Sequence, residues 1–151
     1  MEIQFNKTYQ FQVDSVSFAD LNKQELSTLF SDGRVASHFI EIQITKWFPE
    51  LKRKEIKRGR AKSDHIGSDN TIYEMKNFTK YGCKLMPSYM YGGSRKFNFD
   101  EYNKLAQDTK YIICDIRNFP LVKIIFKNGT DIVSLFPKGL ADKRQDGLLY
   151  A

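Results

Sequence analysis

The sequence predicts an α/β domain in which a mixed β-sheet is flanked by helices. Two observations carry this reading. Residues 34–48 set Ala36, Phe39, Ile40, Ile44 and Trp47 along one helical face, and strand-like runs follow at residues 64–78 and 111–116. A short helical stretch over residues 100–107 separates those runs. Helix, strand, strand, possible strand, helix and strand then follow in order, the outline of a mixed sheet.

At the N-terminus, Ile3, Phe5, Tyr9, Phe11 and Val13 alternate with polar residues and predict an extended segment. Ser17 with Asp20 is expected to cap a first helix whose Phe18, Leu21, Leu26, Leu29 and Phe30 lie near one face, with Gly33 as its stop. The second helix is expected from about Arg34 to Phe48, before Pro49 ends it. Two extended pieces then flank the turn-forming Gly67-Ser68-Asp69-Asn70, the second being Thr71 to Phe78, and predict a hairpin. Residues 79–98 contain Pro87 and Gly92-Gly93 and are expected to be irregular, with room for a short strand. A short helix over Asp100 to Gln107 precedes Tyr111 to Ile116, a nearly continuous apolar run suited to a strand covered on both faces. Leu121 to Phe126 and Asp131 to Phe136 predict a second hairpin around Asn128-Gly129, and the polar tail after Pro137 carries no structural signal.

No repeat, low-complexity stretch or linker interrupts the 151 residues, which are read as one domain over 1–151. The apolar runs are too short to cross a bilayer and no signal peptide opens the chain, so a soluble, cytoplasmic protein with no membrane partner is expected. Cys83 and Cys114 lack the paired spacing of a zinc site and are expected as free thiols. His38 and His65 are too few for a histidine-built metal centre or a His-dependent triad.

Charge is unevenly distributed. Residues 51–62 (LKRKEIKRGRAK) carry seven basic side chains against one acidic, an excess equal to that of the whole chain, +6. From Asn77 to Phe99 there is no carboxylate, while basic residues interrupt a run of aromatics that includes Phe78, Tyr81, Tyr89 and Tyr91. A polyanion partner fits this pattern, with Arg58, Arg60, Lys62, Lys80, Lys84, Arg95 and Lys96 as candidate nucleic-acid contacts. Gly92-Gly93-Ser94-Arg95-Lys96 lacks the strand-to-helix frame of a P-loop and reads as a DNA-contacting loop.

Between the two basic stretches lies Asp64, nine further residues, then Glu74-Met75-Lys76. Strand alternation projects Glu74 and Lys76 on one face and Tyr73, Met75 and Asn77 on the other, so that one face is charged and the other can join a core. With the turn centred on Asp69, residues whose numbers sum to 138 face each other, which sets Asp64 opposite Glu74 and Ile66 opposite Ile72. Opposed Cβ atoms lie about 5 Å apart, close enough for two carboxylates to share one ion. Two hard oxygen ligands suit Mg²⁺, which neutralises charge growing on a phosphate and lowers the pKa of an attacking water. A lysine beside them can orient or deprotonate that water, the role assigned to Lys76.

The segment 64–76 resembles the active-site hairpin of the PD-(D/E)XK nuclease superfamily, and its nine-residue gap is similar to that of small type II restriction endonucleases. The resemblance implies a restriction-endonuclease-like αβββαβ core over about residues 34–117, a Mg²⁺ cofactor, double-stranded DNA as substrate and a homodimer. It implies catalysis by Asp64, Glu74 and Lys76, and a metal held by Asp64, Glu74 and the intervening Met75. Glu41 matches the acidic residue that the first core helix contributes in part of that family. Ser63 stands where the family pattern has Pro. A homing endonuclease or junction resolvase of the same fold would carry the same residues. From a different class, a non-catalytic nucleic-acid-binding module would leave Asp64 and Glu74 as surface charges, on an exposed strand face with a cross-strand ion pair. The second Glu-x-Lys, Glu55-Ile56-Lys57, lies in the charge run with no Asp at suitable distance upstream.

Overall fold

The structure, a computed structural model, describes residues 2–13, 20–31, 33–53, 65–90 and 96–150, with side chains omitted at 33–35. Its elements are β1 (Tyr9–Gln12), α1 (Lys23–Phe30), α2 (Gly33–Trp47), β2 (Lys52–Arg53), β3 (His65–Ile66), β4 (Ile72–Phe78), β5 (Cys83–Lys84), α3 (Phe99–Gln107), β6 (Thr109–Asp115), β7 (Leu121–Asn128), α4 (Gly129–Leu135) and β8 (Leu140–Ala141). The class is mixed α/β, as the sequence predicts. Six strands form one sheet in the order β1-β7-β6-β4-β3-β2, and β5 with β8 forms a small second sheet. Among the described residues only β4 and β6 pair in parallel, and the connection between them carries α3, because parallel neighbours need a long crossover.

The sheet separates two apolar clusters. Ala36, Ile40 and Ile44 of α2 pack with Tyr73, Met75, Ile112 and Cys114 on one face, while Tyr102, Ala106, Ile132 and Val133 of α3 and α4 cover Phe78, Tyr111 and Ile113 on the other. Strand alternation sorts β6 between the clusters, and all of Tyr111 to Ile116 is buried. No helix among the described residues is long and apolar enough to cross a membrane.

Several boundaries differ from the sequence expectation, each for a local reason. The first helix is capped at Asn22, not in the Ser17 to Asp20 region. The Asn22 side chain accepts from the Glu25 backbone N–H at 2.8 Å and the Asn22 N–H donates to Glu25 Oε1 at 3.0 Å, a reciprocal capping box. Ser17 and Phe18 themselves lie outside the described residues. Gly33 does not stop that helix but opens the next one, α2, which ends at Trp47, within a residue of the expected Phe48. The tail after Pro137 is structured as well. Its β8 pairs with β5, Leu149 is buried, and the Tyr150 hydroxyl donates to the Ile113 carbonyl at 2.9 Å.

The expected hairpin around Asn128-Gly129 is not formed; β7 pairs with β6 instead, and a helix follows it directly. Ile132, Val133 and Phe136 fit a helix face as well as a strand, and packing against α3 decides between them. Asn128 stands at the N-terminal cap position of α4, and its side chain accepts from Lys110 Nζ at 2.6 Å. Gly129 allows the close approach of α3: a Cβ there would lie 2.1 Å from the Ala106 carbonyl oxygen and 2.5 Å from that of Thr109. Both obstacles are backbone, so they cannot swing aside. Gly129→Ala is therefore expected to cost about 2–3 kcal/mol, at the upper end of overpacking losses, read as a fall in the chemical-denaturation midpoint. An unchanged midpoint would refute this account of the α3–α4 contact.

Candidate active site

The hairpin that carries the motif has the expected register. His65 pairs with Tyr73 and Ile66 with Ile72, both summing to 138. Its turn closes through Asn70 N donating to Gly67 O at 3.0 Å and Gly67 N to Thr71 O at 2.8 Å, with Asn70 in the left-handed region at φ 66°. Asp69 sits at the exposed tip, where its Oδ1 accepts from Thr71 N at 3.0 Å. That hydrogen bonding with Thr71 holds its carboxyl below the usual carboxylate range. Asp64 lies outside the described residues, as do Arg58, Arg60, Lys62, Arg95, Gly92-Gly93 and Glu55-Ile56-Lys57.

Among the described residues, positions 74–78 of β4 pair with β6. A groove of about 1430 Å³ runs along this part of the strand. Glu74, Lys76 and Lys84 line it from the β4–β5 side, and Ser37, His38 and Glu41 line it from α2. Strand and helix residues 33 or more positions apart in sequence thus meet in one concave surface. The lining combines the carboxylates Glu41, Glu74 and Asp142 with the cations Lys76, Lys80, Lys84 and Lys138. Among the described residues no three His, Cys, Asp or Glu side chains form a metal cluster.

Lys76 departs from the picture of a solvated charged face. Its side chain is only 8 % exposed, its Nζ donates to the Met86 carbonyl at 3.0 Å, and Glu74 Oε1 lies 3.7 Å away. Burying an ammonium is costly without partners, so the carbonyl and the carboxylate are what keep it there. The pair lies within one strand at i, i+2 rather than across strands, and the face it occupies is covered by the α3–α4 cluster. Met75 points the other way, into the α2 cluster, so any contribution it makes to a hard metal must come from its carbonyl oxygen and not its thioether. Beneath the groove, burial pushes the Cys83 thiol up to about 12, with nearby Lys76 opposing. A thiol so held is no nucleophile. Cys83 and Cys114 are both buried.

Glu41 is buried on α2 and is already engaged. Arg53 donates to its Oε2 through Nε at 3.1 Å and approaches through NH2 at 3.0 Å, and Ser37 Oγ lies 3.4 Å from its Oε1. His38 completes this corner, its Nδ1 3.0 Å from Arg53 NH2 and 3.8 Å from Glu41 Oε2. Sequence reasoning missed Arg53 as a member of the site. The antiparallel pairing of β2 with β3 sets it opposite His65, a relation no local motif announces. His65, to which the sequence assigns no role, is fully buried and its Nε2 lies 2.9 Å from the Glu41 carbonyl oxygen. A carbonyl only accepts, so Nε2 carries the proton and the ring ties the hairpin to the helix at Glu41.

Of the proposed DNA contacts, Lys80 and Lys84 line the groove, and Lys96 is exposed. Comparison with protein-family models, with curated proteins and with solved structures returns no match.

Proposed function

We propose that the chain is a Mg²⁺-dependent DNA endonuclease of the PD-(D/E)XK type, hydrolysing phosphodiester bonds, and within that type a homodimeric restriction endonuclease. The observation that carries the reading is the buried Lys76 ammonium beside Glu74, in the lining of the groove. An ordinary solvated ion pair would not bear the desolvation that this position imposes. With β5 set apart in the small second sheet, the remaining order α2, β2, β3, β4, α3, β6 supports the αβββαβ order that the sequence resemblance implies, and the register of 138 agrees with the proposed opposition of Asp64 and Glu74.

Glu74 and Asp64 are the proposed ligands of the ion, with the Met75 carbonyl between the strand's charged residues. When bound, Mg²⁺ supplies neutralisation of the phosphate's growing charge and a lower pKa for the attacking water. Lys76 holds its ammonium at a fixed point by donating to Met86 O, and from there it orients the water or stabilises the crowded phosphate. Glu41 is proposed as an outer member of the set, because its Oε2 already accepts from Arg53. His65 is a positioning residue that joins Glu41's helix to the hairpin.

Incubation of the protein with plasmid and phage DNA, with Mg²⁺ and with chelator, tests the proposal. Discrete fragments that need Mg²⁺ support a restriction enzyme; relaxed plasmid without fragments favours a nicking enzyme or a resolvase of the same type. Undamaged DNA under all conditions overturns the nuclease reading and favours a non-catalytic binding module. Neutralising Arg58, Arg60 and Lys62 together is expected to weaken DNA binding and to flatten the log–log salt dependence by about one unit per lost phosphate contact. An unchanged slope would return that basic stretch to being a solvated face.

A further inference from the structure

The turn that follows β4 brings an aromatic ring to the rim of the groove. Thr79 and Gly82 form an isolated antiparallel bridge with Lys80 and Tyr81 at its tip, closed by two backbone bonds of 2.9 Å, Thr79 N to Gly82 O and Gly82 N to Thr79 O. Tyr81 N also donates to Thr79 Oγ1 at 3.2 Å. Gly82 takes φ 93°, and a Cβ there would lie 2.2 Å from the Ala141 carbonyl oxygen, so β8 pins the base of the turn. The turn is therefore a fixed support, yet the side chain at its tip is bare: Tyr81 is 85 % exposed. Lys80 Nζ stands 5.2 Å from the centre of the Tyr81 ring. Lys84 and Lys138 line the same groove.

Single exposed aromatics are common and by themselves carry nothing. Here the ring is on a rigid mount, it is flanked by cations, and it shares a groove with Glu74 and Lys76. It follows Lys76 by five residues, a span of at most about 18 Å even in a fully extended chain. A polyanion strand following the lysines past Lys76 brings its bases to the Tyr81 ring. A base inside an intact duplex already has both faces covered, so only an unstacked base offers a π-face to this ring.

We propose that Tyr81 is a stacking residue for an unstacked nucleobase next to the phosphate that enters the groove. The inference rests on the nucleic-acid reading of that groove, but not on cleavage. The base has two sources: an unpaired nucleotide in a single strand or bulge, or a nucleotide flipped from an intact pair.

Binding without cleavage tests it, in chelator, to single-stranded, singly bulged and intact duplex oligonucleotides that carry the fluorescent base analogue 2-aminopurine, with wild type, Tyr81→Phe and Tyr81→Ala. Tyr81→Ala is expected to weaken binding to the bulged and single-stranded DNA by about tenfold or more, the scale of one base–aromatic stack. It is also expected to abolish the quenching of 2-aminopurine that wild type and Tyr81→Phe produce. A matching loss on the intact duplex identifies a flipped base as the source, and a loss confined to the other two identifies an unpaired one. Equal affinities and equal quenching for all three proteins on all three DNAs overturn the proposal. Because Tyr81 is exposed and packs on no cluster, a folding defect is not expected, and circular dichroism checks it. Stacking that persists in a protein unable to cleave plasmid with Mg²⁺ leaves this proposal standing and removes the nuclease reading alone.

Discussion

Glu74→Gln and Lys76→Met are each expected to lower DNA cleavage by roughly 10²–10⁴-fold, the range for loss of a positioned proton-transfer group. DNA affinity measured in chelator should change by no more than a few fold, since binding rests on phosphate contacts spread along the groove and the basic stretch. The two substitutions test different parts of the same pair. Glu74→Gln keeps the shape of the side chain and removes the charge that a hard cation requires. Lys76→Met removes an ammonium that is only 8 % exposed and leaves the Met86 carbonyl without its 3.0 Å donor. That loss costs about 1 kcal/mol, and relief of a buried charge offsets it in part. Fold stability by denaturation is therefore expected to move little in either variant. Loss of cleavage with stability intact identifies a chemical role, whereas full cleavage in either variant would sink the mechanism.

The parts of this fold that the sequence made legible are those where one periodicity dominates. Helix α2 and strands β4 and β6 were readable because apolar spacing, the turn 67–70 and the continuous run at 111–116 all point the same way. The second expected hairpin failed because Ile132 and Phe136 suit both periods, and the deciding fact is a contact with α3 that depends on Gly129. In the site, the i, i+2 relation of Glu74 and Lys76 is local and was readable. The burial of Lys76 was not, because its partner, the Met86 carbonyl, lies ten residues away and is brought to it only by the fold. Arg53 and His65 stayed hidden for the same reason. Their roles exist only once β2, β3 and α2 meet, and a basic run in the sequence gives no means of singling out one arginine.

Asp64→Asn is expected to eliminate both cleavage and metal binding, whereas Asp69→Asn changes either only slightly. Both aspartates precede Glu74, and the spacing of a motif alone does not choose between them. The hairpin register does. The pairs His65–Tyr73 and Ile66–Ile72 sum to 138, and one further step in the same register would set position 64 against Glu74, with Cβ atoms about 5 Å apart. Asp69 is spent elsewhere: it lies at the exposed turn, five residues before Glu74, and its Oδ1 accepts from Thr71 N. The turn holds Asp69 at the hairpin tip while Glu74 lies two residues into β4, so the two carboxylates stand at different places along the hairpin, at most about 16 Å apart by strand rise. An asparagine at position 69 keeps the side-chain oxygen that makes this turn bond, so the hairpin should survive the substitution. Asparagine at position 64 keeps the size of the side chain but removes its charge, which is the property a divalent cation selects. Titration of Mg²⁺ by calorimetry, beside plasmid cleavage, reads the two variants. If Asp69→Asn abolishes metal binding and Asp64→Asn does not, the proposed opposition of Asp64 and Glu74 is wrong, even where cleavage by the wild-type protein is observed.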